Sequence, residues 1–386
     1  MRRGTKIQKL KQALPGIVKD VRHYAKPRVK LHNEGLGDYY TEGYRSLNQR
    51  EWKGVRDTAY DFASWLKVYG YMAVTLGKHP VALTKSFVRY PWMASYLTVA
   101  NMLDRHKLGL RGKQLRYTQE QFYGVVHNSV DVIAKIIERD ENLNSPNNKR
   151  AAKLRAKTVM FDEMTPSIIM AGFPMLDWID IAMSPVCLPG EVDQNANIMY
   201  VDAAERMGLA ADVCPLPSAE VGCAIVDDYP QVGSSFITSS MPCDGSLGAA
   251  LFMDRYMKKL PSFTLTPPQR FNEPETNAYA VKDLKNCIRF IEETYHVKWD
   301  WDAFWEKAEE YNKTTQCMLD KWDVNCTPYP QVIGSALSLQ REYEFQTAAC
   351  LDPFMTKQDE KVTKMMLKGY EKDREADRRD YKYRRS

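Results

Sequence analysis

Apolar positions recur at helical spacing in the first part of the chain and at strand spacing in the middle, and the change divides it. Tyr60, Phe62, Trp65, Leu66, Tyr69 and Met72 follow a helical repeat, and Gln119 to Arg139 does so again with Phe122, Val125, Val126, Val130, Ile133 and Ile136. This predicts a mostly helical, aromatic-rich region over 1–150, whose stripes are core rather than cofactor-binding. The run Asn142 to Arg150 (NLNSPNNKR) reads as a surface loop and a domain boundary.

Beyond it the pattern shortens. Thr158 to Phe161 (TVMF) predicts a buried strand, Pro166 to Gly172 (PSIIMAG) a helix with Pro near its first turn, and an extended segment approaches Cys187. Asn195 to Met207 predicts a helix, Asp212 to Pro215 a short extended piece, and Ser234 to Ser240 (SSFITSS) a strand. A helix from Leu247 to Lys259, packing through Leu247, Ala250, Leu251 and Tyr256, precedes a strand at Ser262 to Thr266. Strand, helix and strand with short connections give an α/β fold, a Rossmann-like parallel sheet flanked by helices, over 151–275. A helical segment over 276–372 follows. It comprises Ala278 to Thr294 (with Val281, Leu284, Ile288, Ile291 and a core Cys287), a helix from Asp302 carrying Phe304, Trp305, Ala308, Tyr311 and Met318, then Ser335 to Cys350 and Lys357 to Lys372. Residues 373–386 are too charged to build another core.

Composition narrows the function classes. In 386 residues, 44% hydrophobic, Lys and Arg outnumber Asp and Glu by only 54 to 49, which implies no obligate nucleic-acid partner. The excess is concentrated in residues 1–57, with 14 basic against 6 acidic side chains, and reads as a solvated charged face. The N-terminus lacks the apolar run of a secretory signal, and Tyr90 to Leu103 is too short to span a bilayer, so a soluble, cytoplasmic protein without membrane contact is expected. In that compartment eight scattered cysteines are free thiols or metal ligands rather than disulfides. His79, His106 and His127 have no partner at metal-ligand spacing, and P-loop, GxGxxG and Ser-His-Asp signatures are absent.

The remaining chemistry is in the cysteines of Ala211 to Met253. Neither Cys214 nor Cys243 belongs to a CxxC pair. Cys243 follows a predicted strand, where ligands of parallel sheets gather, with Gly245 allowing close backbone approach and Asp244 able to cap the next helix. The plainer reading is a small buried hydrophobe beside a cap. A 4Fe-4S cluster normally takes four thiolates, and three would leave one iron open to substrate. Zinc with an open position is the alternative, and Cys187 or Cys223 is available as a third thiolate.

The segments CPLPSAEVG, from Cys214, and SSMPCDG, ending at Gly245, resemble those of the 2-hydroxyacyl-CoA dehydratase and benzoyl-CoA reductase family. There a Cys-Pro-Leu segment is followed about thirty residues later by a strand ending in Thr-Thr-Cys-Asp-Gly. The upstream VMFDEMTPSIIMAGFPMLD resembles the family's opening strand and turn, and the likeness extends from about Thr158 to Tyr370. Ser246, Leu247 and Gly248 stand where the family has basic residues, and Pro217, Ser218 and Ala219 replace its basic-serine run.

The resemblance implies an oxygen-sensitive 4Fe-4S protein acting on an acyl-CoA, with Cys214 and Cys243 as cluster ligands and the third ligand Cys187, Cys223 or a residue of a partner chain. It also implies a second dehydratase-type subunit, which would supply a C-terminal α/β domain expected beyond Ser386, and an ATP-dependent iron-sulfur activator protein. Family dehydratases pass one electron to the thioester carbonyl, and the resulting ketyl radical expels the hydroxyl group. The alternatives are a non-catalytic structural or acyl-CoA-binding relative and a ring-reducing subunit of the benzoyl-CoA reductase type.

Overall fold

The computed structural model describes residues 54–99, 112–162, 165–192, 196–240, 244–256, 260–268, 273–347 and 351–379. Helices α1 (Val55–Leu76), α2 (Pro80–Arg89), α3 (Gly112–Arg139) and α4 (Lys149–Arg155) come first, with a 3₁₀ helix at Pro91–Thr98. Strand β1 (Thr158–Phe161), a 3₁₀ helix at Ser167–Gly172 and β2 (Asp177–Asp180) follow. A single π turn, Met183–Cys187, leads into α5 (Leu188–Val192), α6 (Ile198–Arg206) and α7 (Pro215–Ile225). Then come β3 (Ser235–Ser239), α8 (Asp244–Tyr256), β4 (Ser262–Leu265), α9 (Pro274–Tyr295), α10 (Trp301–Asn325), α11 (Gly334–Thr347) and α12 (Pro353–Arg379). Helix α12 thus continues well into the segment expected to be a charged tail.

The four described strands are all parallel, in the order β2-β1-β3-β4, so the expected α/β class is what the structure shows. The central strands β1 and β3 are buried along their whole length, the Ser and Thr residues of β3 included, whereas the edge strands β2 and β4 are half-buried at their starts. Side chains alternate between faces. Val159, Phe161 and Ile237 pack with Cys287 and Ile291 of α9 and with Trp299. Met160 and Phe236 pack on the other face with Ala219 and Cys223 of α7, Tyr229 and the α3 stripe. That second cluster also takes in Val68, Tyr96, Tyr343 and Met355, so one core joins the N-terminal helices, the sheet and the C-terminal helices.

Several local expectations change. The helix expected over Pro166 to Gly172 is a 3₁₀ helix, Ser167–Gly172, with Pro166 as its N-cap, and it packs so closely that a Cβ on Gly172 would lie 2.5 Å from the Trp299 ring. Asp212 to Pro215 is not extended. Cys214 is the N-cap of α7, whose first residue is Pro215. That helix carries no amphipathic signal because it is enclosed on all sides, with every residue from Pro217 to Cys223 buried. The apolar stripes are only partly core. Phe62, Leu66, Leu247, Leu251, Val281, Leu284 and Trp305 are exposed, and α1 instead buries Asp61, Val68, Met72 and Leu76, while α8 buries Ala249, Ala250 and Met253.

Candidate functional site

A helix that leads into a strand of a parallel sheet runs back against it, so its N-terminus lies at the carboxyl ends of the strands. That topology places the start of α7 on the ligand-binding side. Cys214 caps it and is exposed, and its carbonyl accepts hydrogen bonds from Ser218 Oγ at 2.9 Å and Ser218 N at 3.3 Å. Cys187 reaches the same side from β2 through the π turn, a helix form that often marks functional sites. Its N–H donates to the Ala182 carbonyl at 3.1 Å, and the half-buried thiol faces a cavity of 410 Å³. Gly190, Asn197, Ile198, Pro215 and Leu216 line that cavity with it. Asn197 Nδ2 donates to the Val186 carbonyl at 2.9 Å and so ties α6 to the π turn.

The four sequence candidates therefore differ. Cys187 shares its cavity with Pro215 and Leu216, the residues that follow Cys214, while Cys214 itself is exposed. Cys223 is fully buried inside α7, where burial and the charges of Asp228 and Glu220 push its thiol well above the ordinary range and Tyr200 shares a hydrogen bond with it. Cys243 lies outside the described residues, between the end of β3 and the start of α8. Among the described residues, no group of three or more His, Cys, Asp and Glu side chains is arranged to hold a metal ion.

The histidines of the N-terminal region have structural surroundings. His79 pairs with Glu138 at 3.3 Å, and His127 is sandwiched between Tyr71 and Phe354, with ring centroids 3.8 and 3.6 Å away. Burial lowers the His127 value, which keeps the ring neutral. His106 lies outside the described residues. Sequence reasoning missed two features. One is a 490 Å³ cavity at the free edge of β2, lined by Lys78, His79, Asp131, Lys135, Trp178 and Asp180. The other is a buried set of acids at the strand ends, Asp162, Asp180 and Glu220, with Tyr229 donating to Glu220 Oε1. An Asp directly after a short apolar strand was the available signal, and Glu220 gave none.

Comparison with proteins of curated function found no match to the chain. A family comparison did, beginning after β1, β2 and Cys187, so the resemblance read in Thr158 to Asp177 falls outside it. Residues 192–377, which hold both Cys214 and Cys243, match the 2-hydroxyglutaryl-CoA dehydratase D-component family, the family that the cysteine motifs resemble.

Proposed function

We propose that the chain is a subunit, or part of a subunit, of a 2-hydroxyacyl-CoA dehydratase-like enzyme that carries a 4Fe-4S cluster. The family match supports a dehydratase-type component. The observation that supports the finer reading is the cavity that Cys187 shares with Pro215 and Leu216, the two residues after Cys214, on the carboxyl side of the sheet. Thiols are the donors such a cluster takes. Cys214, Cys243 and Cys187 would hold the cluster. Cys223 is the poorer third ligand because its thiol is sealed in the core. The bound cluster would supply a low-potential electron and an open Lewis-acid iron for the acyl-CoA.

The chain's own residues fix the geometry of that region. Asn197 holds the π turn, Ser218 holds the Cys214 carbonyl, and the close fit of α6 on α7 sets the cavity wall. A partner subunit and an activator belong to the same proposal, since dehydratase chemistry in this family divides the work between components. Anaerobic iron and sulfide analysis of single variants, coexpressed with the neighbouring genes, tests the ligand set. Cys187→Ser is expected to lose iron and Cys223→Ser to keep it; the opposite pattern would overturn the assignment of Cys187.

A second reading, a non-catalytic relative, draws on Ser246, Leu247 and Gly248 standing where the family has basic residues. It predicts that Cys214→Ser and Cys243→Ser leave the activity of the assembled complex unchanged.

A further inference from the structure

Helix α10 turns a row of large apolar side chains outward. Trp301, Trp305, Leu319 and Trp322 are 54%, 60%, 51% and 37% exposed, and their spacing puts them on one face of the helix. The face with Thr314, Met318 and Lys321 is the buried one. Trp301 and Trp305 stack with ring centroids 6.5 Å apart, and Phe304 meets them edge-on at 6.0 and 5.3 Å, so the start of the outer face is a fixed aromatic shelf. Asp302, Glu306, Glu309 and Asp323 run along one edge of the row, with Lys313 among them, and none of these four acids is in an ion pair with a described residue. A row of exposed tryptophans edged by free carboxylates marks a surface that another element covers.

The chain itself carries a segment of matching chemistry. Ile7, Leu10, Leu14, Ile17 and Val21 recur three and four positions apart, the spacing of one helical face, and Pro15, which would bend such a helix, falls off that face. Residues 1–24 hold seven Lys or Arg against one Asp, the opposite sign to the α10 edge. As a helix the row from Ile7 to Val21 is about 21 Å long, against about 27 Å from Trp301 to Leu319. The outer face of α1 is apolar too, with Val55, Phe62 and Leu66, but its exposed charges are Arg56 and Lys67, of the segment's own sign, so charge selects α10. The path also fits. The described fold begins at Gly54, the N-cap of α1. From there Asp57 accepts from Gly112 N at 2.8 Å, Gln114 donates to the Pro330 carbonyl at 3.0 Å, and Asn325 of α10 accepts from Gln331 N at 2.9 Å, so Gly54 lies toward the C-terminal end of α10. Residues 25–53, as a linker, reach about 30 Å.

We propose that the basic amphipathic segment 5–24 of the same chain lies along α10, its apolar row on the Trp301–Trp322 face and its Lys and Arg side chains against Asp302, Glu306, Glu309 and Asp323. The linker holds the segment near its site at high effective concentration, which makes the contact intramolecular. Exposed ion pairs contribute little energy, so the apolar row supplies the binding while the charges set the orientation and the sensitivity to salt.

Carbodiimide, which joins amines to carboxylates in direct contact, tests this on the full chain prepared as a mixture of unlabelled and heavy-isotope copies, with the links mapped by peptide mass spectrometry. The wild type is expected to give same-chain links from Lys6, Lys9, Lys11 or Lys19 to Asp302, Glu306, Glu309 or Asp323. They should weaken in about 1 M salt, where the screening length falls to about 3 Å. Ile17→Asp lies outside the described core and should cut their yield about tenfold, the effect of losing one buried Ile side chain. Trp305→Ser should do the same from the α10 side, with circular dichroism confirming that both variants stay folded. No link from the segment to α10, links only between different copies, or a yield unchanged in Ile17→Asp would overturn the proposal. Neither iron nor activity enters the readout, so this inference and the dehydratase reading fail separately.

Discussion

Lys321 of α10 and Asp359 of α12 form an ion pair that is closed to solvent, with side chains 0% and 1% exposed. Gln340 of α11 completes it, accepting from Lys321 at 3.3 Å and donating to Asp359 at 2.8 Å, so three helices of the family-matched region meet at one polar contact. Removing the ammonium leaves a buried, uncompensated carboxylate. Lys321→Met is therefore expected to lower stability by about 3–5 kcal/mol in urea unfolding. The double variant Lys321→Met, Asp359→Leu should recover most of the loss, and equal loss in both would show that packing rather than charge is responsible.

Two further buried acids set a pH dependence. Burial, then the Asp359 charge, pushes the Glu344 carboxyl from 4.5 to about 7. Burial pushes Asp140 from 3.8 to about 6, although Tyr90 and the N–H groups of Gln231 and Asn142 donate to it. Both values are raised by folding, so each contribution is complete below the unfolded value and is lost as pH rises through the folded one. For Glu344 the window runs from 4.5 to about 7, and for Asp140 from 3.8 to about 6. The slope of unfolding free energy against pH should be shallower in Glu344→Gln and in Asp140→Asn than in the wild type. Unchanged slopes in both variants would contradict these shifts.

Gly222 is where α7 and α6 come closest, since a Cβ there would lie 1.8 Å from the Tyr200 carbonyl oxygen. Gly222→Ala forces backbone apart and is expected to cost about 1–3 kcal/mol, read as a lower thermal midpoint. Gly248 in α8 meets nothing within 4 Å, so Gly248→Ala should instead stabilise by about 0.5–1 kcal/mol.

Thiol reactivity follows burial. Cys214 and Cys326 are exposed, whereas Cys223 and Cys287 are enclosed, and burial pushes the Cys287 thiol up to about 12. Iodoacetamide at neutral pH should label Cys214 and Cys326 of the native iron-free chain and spare the other two until it unfolds, as mapped by peptide mass spectrometry. Early labelling of Cys223 would contradict the enclosed α7.

The sheet was legible because β1 and β3 are short uncharged runs, TVMF and SFITS, rich in β-branched and aromatic residues and buried along their length. β2 was harder to read, as Asp177 at its start is held by Lys135 and Arg139 of α3 and gives the strand a polar sequence. α7 was invisible for the opposite reason: a helix enclosed on every side has no polar face to set a period. The cysteines were legible as a pattern in Cys214 and Cys243, but nothing in the sequence placed Cys187 beside Pro215, because π turn and helix start meet only through the fold.

The most direct test is electron paramagnetic resonance of the dithionite-reduced complex, purified without oxygen after coexpression with its neighbouring genes, together with iron and sulfide counts. The account predicts a cluster signal with about four iron and four sulfide per site, lost in Cys214→Ser and in Cys243→Ser. A complex without iron, or a signal that survives both substitutions, would contradict it.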